Sequence, residues 1–335
     1  MNKENIVLSG VQPTGNLHIG NYLGAIKNFV QMQGNYDCLF CVVDLHAITV
    51  YQDPAELRNN IYEIVASYLA SGIDHRQSII FNQSQVPCHA ELAWILNCIC
   101  RIGWLNRMTQ FKEKAGKNKE NASSGLYTYP TLMAADILLY KATHVPVGSD
   151  QKQHLELTRD IAQKFNNDYN KNNFFPLPEP FIDQDISRIM SLRDGTVKMS
   201  KSDTSDYSRI NLQDDADTII KKIKKCKTSD SKIPNNLDEL KALPEINNLL
   251  NIFYGITGID KESLIQSYQN QNFSVLKNDL SDAIIQKICP IGTEIKKLMS
   301  DKVFLDKVLK EGSQKAFMRG QKTLHEVYKA VGFVI

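Results

Sequence analysis

"QPTGNLHIGNYLGAI", residues 12–26, sets a Pro, three Gly and one His where the apolar run "IVLSG" gives way to an amphipathic helical pattern. Pro13 and Gly15 shape a turn after a strand. Gly20 and Gly24 keep side chains off the helix where a ligand could approach. A helix start offers free N–H groups and a partial positive charge to an anion, and His18 stands there able to donate to a phosphate oxygen. Taken alone, the stretch reads equally well as a Gly-rich strand-to-helix turn with a surface His.

The same alternation recurs downstream. "DCLFCVVD" leads to a helix opening at "DPAE", "SIIFNQS" to an apolar helical stretch from Pro87, and "HVPVGSD" to "QKQHLELTRDIAQKF". Strand and helix in turn imply a parallel sheet with crossovers, hence an α/β fold of doubly wound, Rossmann-like type, with ligands at the carboxyl ends of its strands. Asp53, Pro54 and Glu56 mark one helix start as N-cap, first-turn proline and capping-box acid, and Ser71-Gly72 closes that helix. From about residue 205 the pattern is helical, with 3.6-residue periodicity and no convincing strand. Residues 1–204 are expected to form the α/β domain, joined by the C-terminal helix 291–335, and 205–290 a smaller all-helical domain. Periodicity alone does not decide where that last helix packs.

With 335 residues, 42% hydrophobic and 23% charged, the composition is that of a soluble globular chain of roughly two domains. A net charge of +2 excludes a global field for nucleic acid, so any such contact must come from local patches. The N-terminus lacks the apolar run of a signal peptide, and no stretch approaches the ~20 apolar residues of a membrane span, which points to the cytoplasm. Seven cysteines without secretory features fit reduced thiols. Cys38 and Cys41 form a C-x-x-C inside a strand pattern, where residues three apart face opposite ways, so a metal site is not expected. "KEKAGKNKENASSG" reads as a mobile polar loop.

"KMSKS", Lys198 to Ser202, follows "RDG" and presents Lys198 and Lys201 three apart with two hydroxyls. Two ammonium groups on a loop suit a triphosphate whose charge rises as a phosphoryl bond breaks. "HIGN" and "KMSKS" together resemble the two signatures of the class I aminoacyl-tRNA synthetases. Asn21 replaces the second His of the first signature, and can still donate a hydrogen bond.

Within that class, "CVVDLHAITVYQDP", "RMTQFKEK" leading to "YTYPTLMAADILLYKATHVPVGSDQKQHLELTRDIAQKFN", and "MSLRDGTVKMSKSD" resemble the tryptophanyl-specific branch, from about residue 6 to the C-terminus. Pro130 is read as opening a helix on which Tyr129, Met133, Asp136 and Tyr140 face one way. A carboxylate on such a face needs a partner. The resemblance implies that Asp136 accepts the indole N–H, with Met133 and Tyr129 around the ring; a structural Asp bound to a neighbouring group is the alternative.

The resemblance implies further that Val43, His46, Val145, Val147 and Gln151 complete a tryptophan site. It likewise implies that Gln12, Thr14, Gly20, Asn21, Gly148, Asp150, Lys198, Met199, Ser200 and Lys201 bind ATP, with His18, Asn21, Lys114, Lys198 and Lys201 catalytic. Asp150 with Gln153 also fits a capping box, and His46 a core position. The implied reaction joins L-tryptophan to ATP with Mg²⁺, then transfers the tryptophanyl group to tRNA(Trp). The helical part would read the anticodon, and the protein would be a homodimer. A tyrosyl-specific enzyme and a non-catalytic regulator binding tryptophan or RNA are the other readings. "KKIKKCK", Lys221 to Lys227, suits either an RNA backbone or a solvated helix face. Ser149 and Thr204 stand where relatives often have an acid and a proline; without the proline the loop after Ser202 is expected to be freer.

Overall fold

The computed structural model describes residues 5–109, 111, 121–148, 151–181, 188–227, 233–269 and 271–335. Its centre is a five-stranded sheet in the order β3-β2-β1-β4-β5. The strands are β1 (Ile6–Val11), β2 (Asp37–Val42), β3 (Ile79–Asn82), β4 (His144–Pro146) and β5 (Glu179–Phe181), and all four pairings are parallel. The chain builds outward from β1 through β2 to β3, then returns to the other side of β1 with β4. That reversal opens a crevice beyond the carboxyl ends of β1 and β4. The strand β5 lies outside the sequence expectation. Its "EPF" carries a proline and is only three residues long, which suits an edge and gives little periodic signal.

Alternation along the strands divides the core. Val7, Cys38, Phe40, Val42 and Ile80 pack on one face, and Leu8, Leu39, Cys41 and Phe81 on the other. Cys38 and Cys41 therefore point to opposite faces, and among the described residues no group of three His, Cys, Asp or Glu could hold a metal ion. The first face is covered by α1, which is α-helical over Ile19–Asn21, π-helical over Tyr22–Ile26 and α-helical again over Lys27–Met32, and by α3 (Pro54–Ala70). Between β2 and α3 lies the short α2 (Asp44–Ala47). Asp53 caps α3 by accepting from the N–H groups of Ala55 and Glu56. The second face is covered by α4 (Cys88–Ile99), followed by the short α5 (Ile102–Leu105), and then by α6 (Ser124–Leu139) and α7 (Lys152–Asp168).

Helix α6 begins six residues before the proline expected to open it. The Ser123 hydroxyl caps it by accepting from the Leu126 N–H, and Pro130 lies inside the helix. Tyr129, Met133 and Asp136 nevertheless keep a shared face. The Gln153 amide oxygen accepts from the Thr109 N–H and hydroxyl and its N–H₂ donates to the Arg107 carbonyl. Gln151 is the N-cap of α7, and the capping box expected of Asp150 with Gln153 rests on Asp150, which lies outside the described residues.

After residue 205 the described elements are helical: α8 (Ala216–Lys225), α9 (Leu237–Leu240), α10 (Pro244–Thr257), α11 (Lys261–Tyr268), α12 (Phe273–Ser300) and α13 (Lys302–Val331). Ile219, Leu249 and Ile284 belong to the same contiguous core as Val7 and Phe40. Residues 290 and 291 are consecutive within α12. Helix α13 straddles the β3 edge: Leu305 and Val308 join one core, Ala316 and Leu324 the other. A side chain at Gly312 would place its Cβ 1.7 Å from the Ile80 carbonyl oxygen, so only glycine allows this approach. A covered edge strand is not open to pairing with another chain. Among the described residues no helix is long and apolar enough to cross a membrane.

Candidate functional site

Between β1 and α1 the backbone turns so that His18 becomes the N-cap. Its Nδ1 accepts from the Gly20 N–H (3.1 Å), while the Asn21 Oδ1 accepts from the His18 N–H (3.1 Å). This is a reciprocal capping box built from His and Asn. Because Nδ1 is an acceptor, the neutral ring carries its proton on Nε2, on the side away from the cap. Burial, then the charges of Lys201, Arg209 and Lys198, hold His18 down at about 3. With Asn21 Oδ1 engaged on the cap, its amide N–H₂ is the group left for a ligand. A Cβ at Gly20 would sit 3.0 Å from the His18 ring, so glycine lets the imidazole fold over the helix start. The π-helical turn follows at once, a feature that often marks functional sites.

The second cationic segment is brought to the first by backbone pairing. The Ile19 N–H donates to the Ile210 carbonyl (2.8 Å), and the Leu212 N–H to the Leu17 carbonyl (2.9 Å). Lys201 Nζ donates to the Gly15 carbonyl (3.1 Å), bridging 186 residues. Burial lowers Lys201 to about 8, against the opposing charge of Glu63. The Met199 N–H donates to the Ile189 carbonyl, and its side chain is buried. Asp203 Oδ1 accepts from the Ser205 N–H (2.8 Å), and Arg209 donates to the Asp203 carbonyl (3.0 Å). These bonds restrain the loop around Thr204 in ways a missing proline does not touch.

His18 and Lys201 face a cleft of about 1040 Å³ at the carboxyl ends of β1 and β4. Gln12, Thr14, Gly20, Asn21, Gly148, Lys198 and Met199 line its polar end. Val43, His46, Tyr129, Met133, Asp136, Val145, Val147 and Gln151 line it as well. Ser200 is not among the lining residues; its hydroxyl is 2.9 Å from that of Ser202. Lys114, Ser149 and Asp150, and most of the loop expected to be mobile, lie outside the described residues. Arg188 adds a cation to the lining that sequence reasoning missed, since a lone arginine outside the second signature carries no distinguishing pattern.

At the apolar end, Asp136 is a buried carboxylate with three donors. His46 Nε2 lies 2.8 Å from Oδ2; Gln83 Nε2 and His89 Nδ1 lie 2.7 and 2.6 Å from Oδ1. A carboxylate only accepts, so both imidazoles donate to it. Burial pushes the carboxyl up, and the hydrogen bonds from His46 and His89 more than reverse this, leaving it at about 2. The Tyr129 hydroxyl is 2.7 Å from His154 Nε2, and the Tyr140 hydroxyl 2.8 Å from His89 Nε2. Tyr140 thus stands behind Asp136 and does not line the cleft.

The lysine run that begins on α8 is divided between the fold and the surface. Lys222 is buried between Asp206 (2.7 Å) and Asp214 (2.6 Å), Lys225 lies over the Tyr207 ring, and Lys227 pairs with Glu245 (2.9 Å). Lys221, Lys224, Lys225 and Lys227 are all exposed.

Comparison with known proteins follows the same line. A family profile described as tRNA synthetases class I (W and Y) matches residues 1–287. A tryptophan–tRNA ligase of Brucella melitensis is 53% identical, with 98% of each chain covered. The crystal structure of a tryptophanyl-tRNA synthetase from Mycoplasma pneumoniae superposes with a TM-score of 0.87 at 34% identity, covering 98% of both chains. One from Campylobacter jejuni, complexed with ADP and tryptophan, superposes with a TM-score of 0.81 at 31% identity, covering 98% of this chain and 100% of that one.

Proposed function

Since the chain belongs to the class I tRNA synthetases for tryptophan and tyrosine, we propose a division of labour within its cleft. The enzyme activates L-tryptophan with ATP and transfers it to the 3′-terminal ribose of tRNA(Trp). The carrying observation is that one cleft joins a capped His18 and Lys201 to a buried, ionised Asp136. The first two suit phosphates, and the third suits an N–H group on an aromatic ring.

The tryptophan carboxylate attacks the α-phosphorus in line, and pyrophosphate leaves. No enzyme nucleophile is needed, so the protein's contribution is position and charge. His18 donates from Nε2 and Asn21 from its amide to phosphate oxygens. Lys198 and Lys201 neutralise the charge that grows on the leaving pyrophosphate, with Arg188 at the cleft wall as a further cation. Gln12, Thr14, Gly148 and Met199 border the nucleotide. Val43, Met133, Val145 and Val147 enclose the indole with Tyr129, His46 holds Asp136, and Gln151 takes the ammonium group. Mg²⁺ enters with the nucleotide, as part of the substrate MgATP.

The protein works in the cytoplasm, where tRNA charging supplies translation, and as a homodimer. Exposed Ile48, Val50, Tyr51 and Trp94, beside a groove of about 430 Å³ shared by α2, α4 and α6, support the homodimer. The helices after residue 205 meet the tRNA, with Lys221, Lys224 and Lys225 as the solvent-facing cations of α8. Charging of a tRNA(Trp) transcript with labelled tryptophan tests the whole reaction. Charged tRNA(Trp) is the expected product; its absence with active ATP and tryptophan binding would contradict the reading.

A further inference from the structure

We propose that His89, supported by Tyr140 and working beside Gln83, is a positioning residue that makes Asp136 a site for one N–H donor. This rests on the reading of Asp136 as the indole partner. A carboxylate has about four acceptor positions. Gln83 and His89 occupy both on Oδ1, and His46 occupies one on Oδ2. One acceptor position on Oδ2 is left for the ligand.

The donors that surround this carboxylate are spent on it. The Gln83 amide oxygen is tied to the Leu45 N–H (3.1 Å), and His89 Nε2 to the Tyr140 hydroxyl (2.8 Å). An indole N–H donates and asks for nothing in return. A phenol also donates, but its oxygen then lies buried and in need of a donor, which disfavours tyrosine beyond the misfit of shape. His89 is fully buried on α4 and Asp136 lies on α6, so the bond fixes the carboxylate's rotation from the helix behind it. Without that bond Oδ1 opens a second acceptor position and the carboxylate is free to turn. The remaining oxygen then no longer meets the ring N–H at a fixed place.

The test measures ATP–pyrophosphate exchange for L-tryptophan and for β-(benzothiophen-3-yl)alanine, in which sulfur replaces the indole N–H, using the full-length protein. The readout is the ratio of kcat/KM for the two amino acids, in wild type, Asp136→Ala, His89→Leu and His89→Asn. Asp136→Ala is expected to collapse the ratio. His89→Leu is expected to lower it at least about tenfold, the scale of a lost hydrogen bond to a charged group, and His89→Asn, which keeps a donor near the Nδ1 position, to restore most of it. A His89→Leu enzyme that loses activity equally on both amino acids, with the ratio unchanged, overturns the positioning role. If Asp136→Ala leaves the ratio unchanged, the reading of Asp136 itself fails, whatever His89 does. Should His89→Leu not fold, Tyr140→Phe decides: a ratio lowered about threefold or more supports the role, and an unchanged ratio overturns it.

Discussion

His18 accepts at Nδ1 to cap a helix, and that single bond determines which nitrogen is left to donate into the cleft. Burial and the nearby cations hold it at about 3, so it is a neutral donor throughout the working range. The sign for stability follows from the depressed value. Between pH 6.5 and 3 the unfolded chain binds a proton that the folded one does not, so stability falls as pH drops, by up to about 1.4 kcal/mol per unit. Urea unfolding of wild type and His18→Asn from pH 6.5 to 4 should show a shallower slope in the variant; equal slopes would count against the buried neutral imidazole. Lys201, lowered by burial to about 8, must be charged to meet a triphosphate. The kcat/KM for ATP should therefore decline above about pH 8 in wild type. Lys201→Arg should remove that alkaline limb, since a guanidinium stays charged. An identical limb in both enzymes would assign the titration elsewhere. The signatures at His18 and Lys198–Ser202 were legible in the sequence because their chemistry is contained in a few adjacent residues. Gln83 and His89 were not, since they reach Asp136 from 53 and 47 residues away.

At the scale of elements, strand and helix alternation sufficed for β1 to β4, where apolar runs meet marked caps such as Asp53. It failed where a local rule was overruled. Pro130 looked like a helix start, yet the Ser123 cap set the true one, and the helix carries the proline inside. The last helix could not be placed from periodicity, because its apolar residues serve two cores on either side of the β3 edge. Gly312 is the contact that fixes it. Gly312→Ala should destabilise the protein by about 1–3 kcal/mol or more, because the added carbon meets backbone and not a movable side chain. Calorimetry would read this as a lower Tm, and an unchanged Tm would mean that the helix can shift without cost. The lysine run on α8 carries a related lesson. Its charges looked equivalent in sequence, but Lys222 is buried between two aspartates while Lys221 and Lys224 face solvent. Lys222→Ala should weaken folding by about 1–3 kcal/mol, because it leaves Asp214 without its buried cation. Lys221→Ala should be neutral for stability, and equal effects on urea midpoints would contradict this division.

In the whole molecule, the parallel sheet reverses its winding between β1 and β4, and everything chemical gathers at that reversal. The N-terminal signature follows β1 at the start of α1, the segment after the second signature pairs with it, and α6 brings Asp136 to the far end of the same cleft. Two motifs nearly two hundred residues apart thus line one cleft, the proposed ATP site, with the proposed amino-acid pocket beyond it. In the proposed reading specificity and activation are carried by different residues. Lys198→Ala should slow adenylate formation while sparing tryptophan binding, as expected for a group whose interaction strengthens as charge develops; an equal loss in both would contradict it. The most direct single test is ATP–pyrophosphate exchange by the purified protein with tryptophan and with tyrosine, each offered alone. Exchange with tryptophan and none with tyrosine is the expected result. Exchange with tyrosine, or with neither amino acid, would contradict the assignment of this cleft to tryptophan activation.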